Sequence, residues 1–556
     1  MKIHTLFILL TICAALAVNA GGAPQMTVDP QTSEIAPVHE NSPALVTQPA
    51  VEEPVPEPAV RPTLEELARD GGLHDLGPLT VEAIAAADAE AAAKWGHIRP
   101  GPLRDSVVRA IQPVLVALPE HAVETTLPSG EKVWTLAIRA PGAYGLRVHF
   151  ADFALESGQV LIYSDGPAGL IVRGPYHGDG PNKSGEFWGP YVPGDVAFIE
   201  LRGGQARVTV DSVLHFDRDP AQPTGGDPTE GAPLGCHLDV MCFGDPPVNA
   251  AARDATGRMS FVSGGMGGAC TGTLLNDLDD TTFAPYFITA YHCLSTQAEV
   301  DTLQAFWFFQ ETPCASSSCP SDSCTTSTPN MATVPFSMGG TLLQTNPTEG
   351  GNDMTFLRLA GGLPAGIGLA GWTTAHLDPA IGIHHPAGSW KRTVFLSDTG
   401  FCPGCEFCGD GTDYDYYDFD NGLIEPGSSG SGLFNASGQL AGQLFGTCCV
   451  SAACADGVFN CAEAGDFNVQ YGEFETTFPL IQYWLELGGT IHVNWTNTAP
   501  PWLGTPSDPF LTVNQGNLAA WDGVVMRIQA GSYNETVTFT RAMTVVAEGG
   551  TVVIGQ

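Results

Sequence analysis

The residues best suited to chemistry are in Glu425-Pro426-Gly427-Ser428-Ser429-Gly430-Ser431-Gly432. Glycines on both sides of a serine pair allow a tight turn that lifts one hydroxyl, that of Ser429, out of the backbone. A serine hydroxyl is a poor nucleophile at neutral pH and needs a base, which in turn needs an orienting group. His292, in Thr289-Ala290-Tyr291-His292-Cys293, is the base candidate, and Asp353, at the start of Asp353-Met354-Thr355-Phe356-Leu357, is the orienting acid. The same turn aims backbone N–H groups at one point, so those of Gly427 and Ser429 are the expected oxyanion donors. Each residue also has a plainer reading: a Gly/Ser flexible loop, a buried structural histidine, a turn aspartate. Asp301 and Asp322 are the competing acids, but neither leads into a strand comparable to Met354–Leu359 that would hold it rigid.

The elements around these residues read as β structure. Tyr286-Phe287-Ile288-Thr289 and Ala305-Phe306-Trp307-Phe308-Phe309 are short apolar runs divided by Gly and Ser turns, and helix signals are scarce. Phe478 to Leu487, followed by Gly488-Gly489, is the exception and predicts a terminal helix. Upstream, from about Glu131 to near Phe216, the period is two, as in Leu146-Arg147-Val148-His149-Phe150, and predicts a small antiparallel sandwich. Thr63-Leu64-Glu65-Glu66 predicts a capped helix start, and Val81 to Trp95 a further helix. After residue 490, Val524–Ile528, Val537–Phe539 and Val552–Ile554 read as a few rungs of a parallel β-helix.

The chain has 556 residues and a net charge of -38, from Lys+Arg 22 and Asp+Glu 60. That balance argues against nucleic acid as a partner, because phosphate binding needs clustered cations. Met1 to Ala20 has the positive end, apolar run and small-residue cleavage site of a secretory signal, so an extracellular location is expected. No later stretch is apolar and long enough to span a bilayer. With Cys13 removed in that leader, all the remaining cysteines fall between Cys236 and Cys461, an even set expected to pair as disulfides. The spacing in Cys402-Pro403-Gly404-Cys405-Glu406-Phe407-Cys408 suits a metal knuckle, but no second half matches it, so no metal and no cofactor are expected.

The order histidine, aspartate, serine is that of the trypsin-fold serine proteases, and several further blocks resemble the bacterial lysyl endopeptidase group. They are Gly235-Cys236-His237-Leu238-Asp239-Val240-Met241-Cys242, Cys270-Thr271-Gly272-Thr273, Ala370-Gly371-Trp372, Ile383-His384-His385-Pro386, Gly442-Gln443-Leu444 and Gln470-Tyr471-Gly472. The resemblance covers most of residues 235–488. It implies two packed antiparallel β-barrels with the three residues in the cleft between them, and Cys270–Cys293 and Cys242–Cys314 disulfides. It also implies a bridge from Cys236 to Cys448, Cys449 or Cys454, and a structural role for His384 and His385. Residues 134–201, with Phe187-Trp188 and Pro193-Gly194-Asp195, resemble more weakly the domains that precede such catalytic parts. The organisation expected is a signal peptide at 1–20, a Pro-rich acidic linker at 21–62 and a pro-domain at 63–216. A linker at 217–235, a protease domain at 236–490 and the β-helix-like segment at 491–556 complete it.

The family's lysine-selecting positions are apolar in this chain. Val469 stands where the aspartate before Gln-Tyr-Gly would be, Phe445 where a histidine would be, and Leu423 six residues before the nucleophile. A cationic side chain buried there would lack a partner, so an apolar preference is expected, with Asp466 the one acid near enough to change it. The expected function is a secreted serine endopeptidase acting on proteins or peptides, with its own pro-domain as intramolecular partner. The alternative is an inactive protease-like protein that binds surfaces or polysaccharide. An α/β-hydrolase esterase is excluded by chain order, since there the serine comes first.

Overall fold

The computed structural model describes residues 26–28, 41–46, 55–96, 101–111, 116–219 (without 167–168, 182 and 205), 236–278, 283–311, 314, 330–399 (without 361–362), 413–449, 467–486 and 490–555 (without 500–501, 503, 521–523, 540 and 542). The chain is mainly β and divides into two compact units. Among the described residues, one unit comprises 26–28, 276–278, 283–285 and 481 onward, and the other comprises 41–275 and 286–480. No helix among the described residues is long and apolar enough to cross a membrane.

The larger unit opens with the two expected helices, Leu64–Asp70 and Val81–Trp95. The first starts in a capping box: Glu66 N donates to Thr63 Oγ1 while Thr63 N donates to Glu66 Oε2 at 2.8 Å. A sandwich follows. One sheet runs in the order 169–176, 159–166, 196–202, 132–139, 73–75. The other is built on 145–155, 206–216 and 103–110. Leu136, Ile138 and Ile199 from the first meet Phe150, Phe153, Val208 and Val210 from the second in one buried core, which is what the period-two pattern requires. Strand Leu103–Ala110 then pairs on its other side with Met266–Leu275, so the second sheet continues into the cysteine-bearing region.

Two closed barrels make up that region. In the first, strands 256–263, 266–275, 286–290 and 304–306 join 354–359 through the bent strand 336–346. That strand pairs with Gln304–Phe306 before Gly339 and with Met354–Leu359 after it. In the second, the ladder runs 439–449, 432–434, 380–384, 392–398, 414–421, 467–473 and back to 439–449. A core of Leu396, Tyr417, Ile424, Leu433, Leu444, Val469 and Tyr471 fills it.

Several expectations need correction. Strand 304–306 stops before Trp307, because Phe308 takes φ 56° and Trp307 N turns away to Pro335 O. The long helix spans Phe474–Glu486, starting a turn earlier than expected, because Phe474 and Phe478 both pack on Trp372. Gly488 and Gly489 lie outside the described residues. The linker is not a free tether throughout. Asn41–Ser42 pairs with Trp372–Thr373 and Leu45–Val46 with Gly368–Leu369. Ala59 N and Val60 N both donate to the buried Glu200 carboxylate at 3.0 Å.

In the smaller unit, Ile491–Val493, Val525–Tyr533 and Thr544–Ile554 form a parallel ladder, with Met26–Val28 antiparallel on its edge. Val537–Phe539 is not a strand. The hydrogen-bonding groups of its neighbourhood serve helix Val513–Leu518 instead: Glu535 accepts from Val513 N and Asn514 N, and Thr538 O accepts from Asn517 Nδ2.

Candidate active site

His292 follows strand Tyr286–Ala290, and Asp353 immediately precedes the strand paired with it, with Ala290 opposite Met354. That register brings the two side chains together. His292 Nδ1 is 2.7 Å from Asp353 Oδ2, and His292 N donates to Asp353 Oδ1 at 3.1 Å. Thr348 Oγ1 donates to the same Oδ1 at 2.7 Å, and Tyr291 N donates to the Asp353 carbonyl. With its carboxylate held by three donors, Asp353 sits at φ 59°, a left-handed conformation that aspartate tolerates better than most residues. Both side chains are almost wholly buried, and His292 Nε2 has no hydrogen-bond partner among the described residues. The pairing excludes Asp301 as the orienting acid; its carboxyl accepts from Gln297 instead. Asp322 lies outside the described residues.

Ser429 belongs to a turn packed against the end of the histidine-bearing strand. Its carbonyl accepts from Thr271 N at 2.9 Å and lies 3.8 Å from Cys293 Sγ, next to His292. Gly430 has φ 80°, and a Cβ there would come within 2.5 Å of Thr271 O and 2.7 Å of Ala290 N. Gly427 has φ 96°, and a Cβ would meet Gly388 N and His385 O at 2.9 Å. The glycines are therefore fixed by close approach of backbone, not by loop flexibility.

Beneath the turn lies a polar layer whose roles the sequence did not reveal. Ser428 Oγ accepts from Glu425 N and is 2.8 Å from His384 Nδ1. Glu425 Oε2 is 2.6 Å from His237 Nε2, both buried, which ties the segment after Cys236 to the serine turn. Burial holds His384 and His385 well below the usual histidine range, so both are neutral struts, as expected. A second tie joins the two barrels. Asn352, beside Asp353, donates to Glu473 O and Thr477 Oγ1 and accepts from Gln443 Nε2 at 2.7 Å through its carbonyl. Gln443 precedes Leu444, whose carbonyl accepts from Gly430 N. Ser428, Glu425, His384, His237 and Gln443 lie inside the motif blocks, but their roles depend on non-local partners that no spacing reveals.

The Cys242–Cys314 and Cys270–Cys293 disulfides are both present, and Cys236 is disulfide-bonded. Among the described residues, the only grouping of metal-ligand type is Asp239, Cys242 and Cys314, and its two sulfurs are joined to each other. The Cys402–Cys408 run lies outside the described residues.

The candidate selectivity residues separate. Phe445 stands edge-on to His292, ring centroids 6.0 Å apart, with Tyr414 behind it. Leu423 is fully buried, and Val469 joins the core of the second barrel. Asp466 lies outside the described residues. Glu473, on the Val469 strand, is pushed up to about 7 by burial and then by Asp415, Asp413 and Glu475. An acid raised in the folded state lowers stability as pH climbs from its unfolded value of about 4.5 through 7. Glu473→Gln is therefore expected to raise the melting midpoint by ~1–3 °C above pH 7 and leave it unchanged below pH ~4, the half-exposed site limiting the effect. Melting curves at both pH values check this.

Residues 231–460 match the family model described as "Lysyl endopeptidase, C-terminal domain". The chain is 29% identical over 342 residues to the lysyl endopeptidase of Pseudomonas aeruginosa, an alignment covering 57% of this chain and 70% of that protein. Among solved structures, an HtrA-type protease, AlgW, with a tripeptide aligns at TM-score 0.27 and 16% identity over 44% of this chain and 66% of that one, just under two thirds of its length. A scabies mite inactivated protease paralogue aligns at TM-score 0.29 and 12% identity over 45% of this chain and 97% of that one. On the strength of the family model and the sequence relative, the region that holds His292, Asp353 and Ser429 is similar to the trypsin-like serine proteases, and within them to the lysyl endopeptidases.

Proposed function

We propose that this protein is a secreted serine endopeptidase, made as a proenzyme, in which Ser429, His292 and Asp353 form the catalytic triad. The observation that carries the reading is the Asp353–His292 contact at 2.7 Å beside a glycine-braced serine turn. His292 Nε2 takes the proton from Ser429 as its oxygen attacks the peptide carbonyl, then returns it to the leaving amine. Asp353 holds Nδ1–H and stabilises the imidazolium. The N–H groups of Gly427 and Ser429 receive the developing oxyanion, donors of a kind worth roughly 3 kcal/mol each. Water then hydrolyses the acyl-enzyme by the same proton path.

The apolar residues at the three selector positions favour cleavage after an apolar residue, and the sandwich of residues 63–216 serves as the pro-domain. The chain is cut within about residues 225–235 to release the protease. The test is a fluorophosphonate probe applied to wild type and Ser429→Ala, together with a panel of peptides varied at the residue before the cleaved bond. The expected result is label on Ser429 alone and faster cleavage after apolar residues. Released protease that stays unlabelled removes the serine mechanism, and strong lysine preference removes the apolar pocket.

A further inference from the structure

The proposed oxyanion donor already holds a carbonyl from far upstream. Gly427 N donates to Gly101 O at 3.1 Å. Both Gly101 and Pro102, which follows it, are buried. From Leu103 the chain continues as a strand antiparallel to Met266–Leu275, with Leu103 opposite Ala269 and Arg104 opposite Gly268. Ala269 directly precedes Cys270, which is bridged to Cys293 beside the candidate base. The chain thus enters the cleft at the oxyanion donor and leaves it along the strand that borders the catalytic histidine.

This segment is fastened by charge. Arg258, on the first barrel, places Nη2 2.6 Å from Asp105 Oδ2 and Nε 2.6 Å from Gly388 O, all buried. Arg104 is held by Asp217 at 2.8 and 2.9 Å and by Asp88 at 2.6 Å. A buried arginine or carboxylate left without its partner is strongly destabilising, so these pairs resist separation.

We infer that residues 101–103 occupy the cleft as an uncleaved substrate, with Gly101 at the acyl position and the Gly101–Pro102 bond at the point of attack. The inference rests on the serine endopeptidase reading above and adds the register of the block. A substrate carbonyl is bound by the N–H that Gly101 O now occupies, and the residues after the scissile bond extend along the neighbouring strand, as Leu103 does on Ala269. Pro102 explains the survival of the bond. Its nitrogen is locked in a ring that fixes φ and crowds the residue before it, so the leaving nitrogen cannot turn its lone pair toward His292 to take the proton. The chain is thus its own inhibitor, and residues 103–110 are the strand that must peel away before a peptide can bind.

The test uses the full-length chain. In Leu103→Asp, a charge replaces the side chain that packs beside Gly388 and Ala269. Fluorophosphonate labelling of Ser429 should then be at least about tenfold faster than in wild type, since reactivity scales with the fraction of molecules whose cleft is free. In Pro102→Ala, the bond should become cleavable, giving a fragment that begins at residue 102 and that is absent when Ser429→Ala is added. Labelling of Leu103→Asp at the wild-type rate, an intact Pro102→Ala chain, or self-cleavage at another bond of the segment overturns the inference while leaving the endopeptidase reading standing. If no form labels at Ser429, the underlying reading falls and the inference falls with it. Melting midpoints of the variants separate a freed cleft from a misfolded chain.

Discussion

Ser429→Ala in the released protease is expected to lower kcat/KM for peptide cleavage by roughly a millionfold, the scale seen when a triad nucleophile is removed from a protease of another fold. Removing one small buried hydroxyl leaves the turn intact, because its shape is set by Gly427, Gly430 and the Thr271 N to Ser429 O bond. The melting midpoint should therefore hold while activity vanishes. His292→Ala should give a comparable loss, and the double variant should lose no more than either single one, because nucleophile and base act as a unit. Peptide hydrolysis by the three variants checks this. A double variant whose losses multiply would mean that the two residues work separately, and substantial residual cleavage by Ser429→Ala would end the mechanism.

Asp353→Asn is expected to cost about 10⁴-fold in kcat. Asparagine adopts the left-handed backbone at φ 59° and keeps an oxygen for His292 N and Thr348 Oγ1. Its amide nitrogen then faces His292 Nδ1 and donates where the carboxylate accepted. The imidazole must carry its proton on Nε2, the atom that has to receive the serine proton. Binding is untouched, so KM should stay within a few-fold while kcat collapses. A kcat within tenfold of wild type would show that Asp353 only supports the loop.

These outcomes turn on residues that could be read before any coordinates. The serine turn was legible because only glycine meets the backbone demands at positions 427 and 430. His292 and Asp353 were legible because each borders an apolar β run, and the pairing of those runs brings them together. The sandwich was legible from alternation alone. What escaped has a common physical character. The role of Gly101–Pro102 depends on a partner more than three hundred residues away, and nothing in its own composition marks it. Glu425 and His237 look ordinary until the fold buries them against each other. Residues 41–46 read as tether because two-residue strands carry no periodic signal. Val537–Phe539 had the right residue types for a strand, but backbone and side-chain donors of a neighbouring helix claimed its surroundings.

Asn352 has a consequence for how the molecule selects what it cuts. Its amide and carbonyl clasp Glu473, Thr477 and Gln443 at once, so Asp353 and the Ser429 turn are stitched to common threads on opposite walls. A jaw that opened and shut around each peptide would have to tear those stitches every turnover. Selectivity must therefore be cast in the shape of the walls beforehand, and changes of taste should come by altering lining residues such as Phe445, with no hinge to tune.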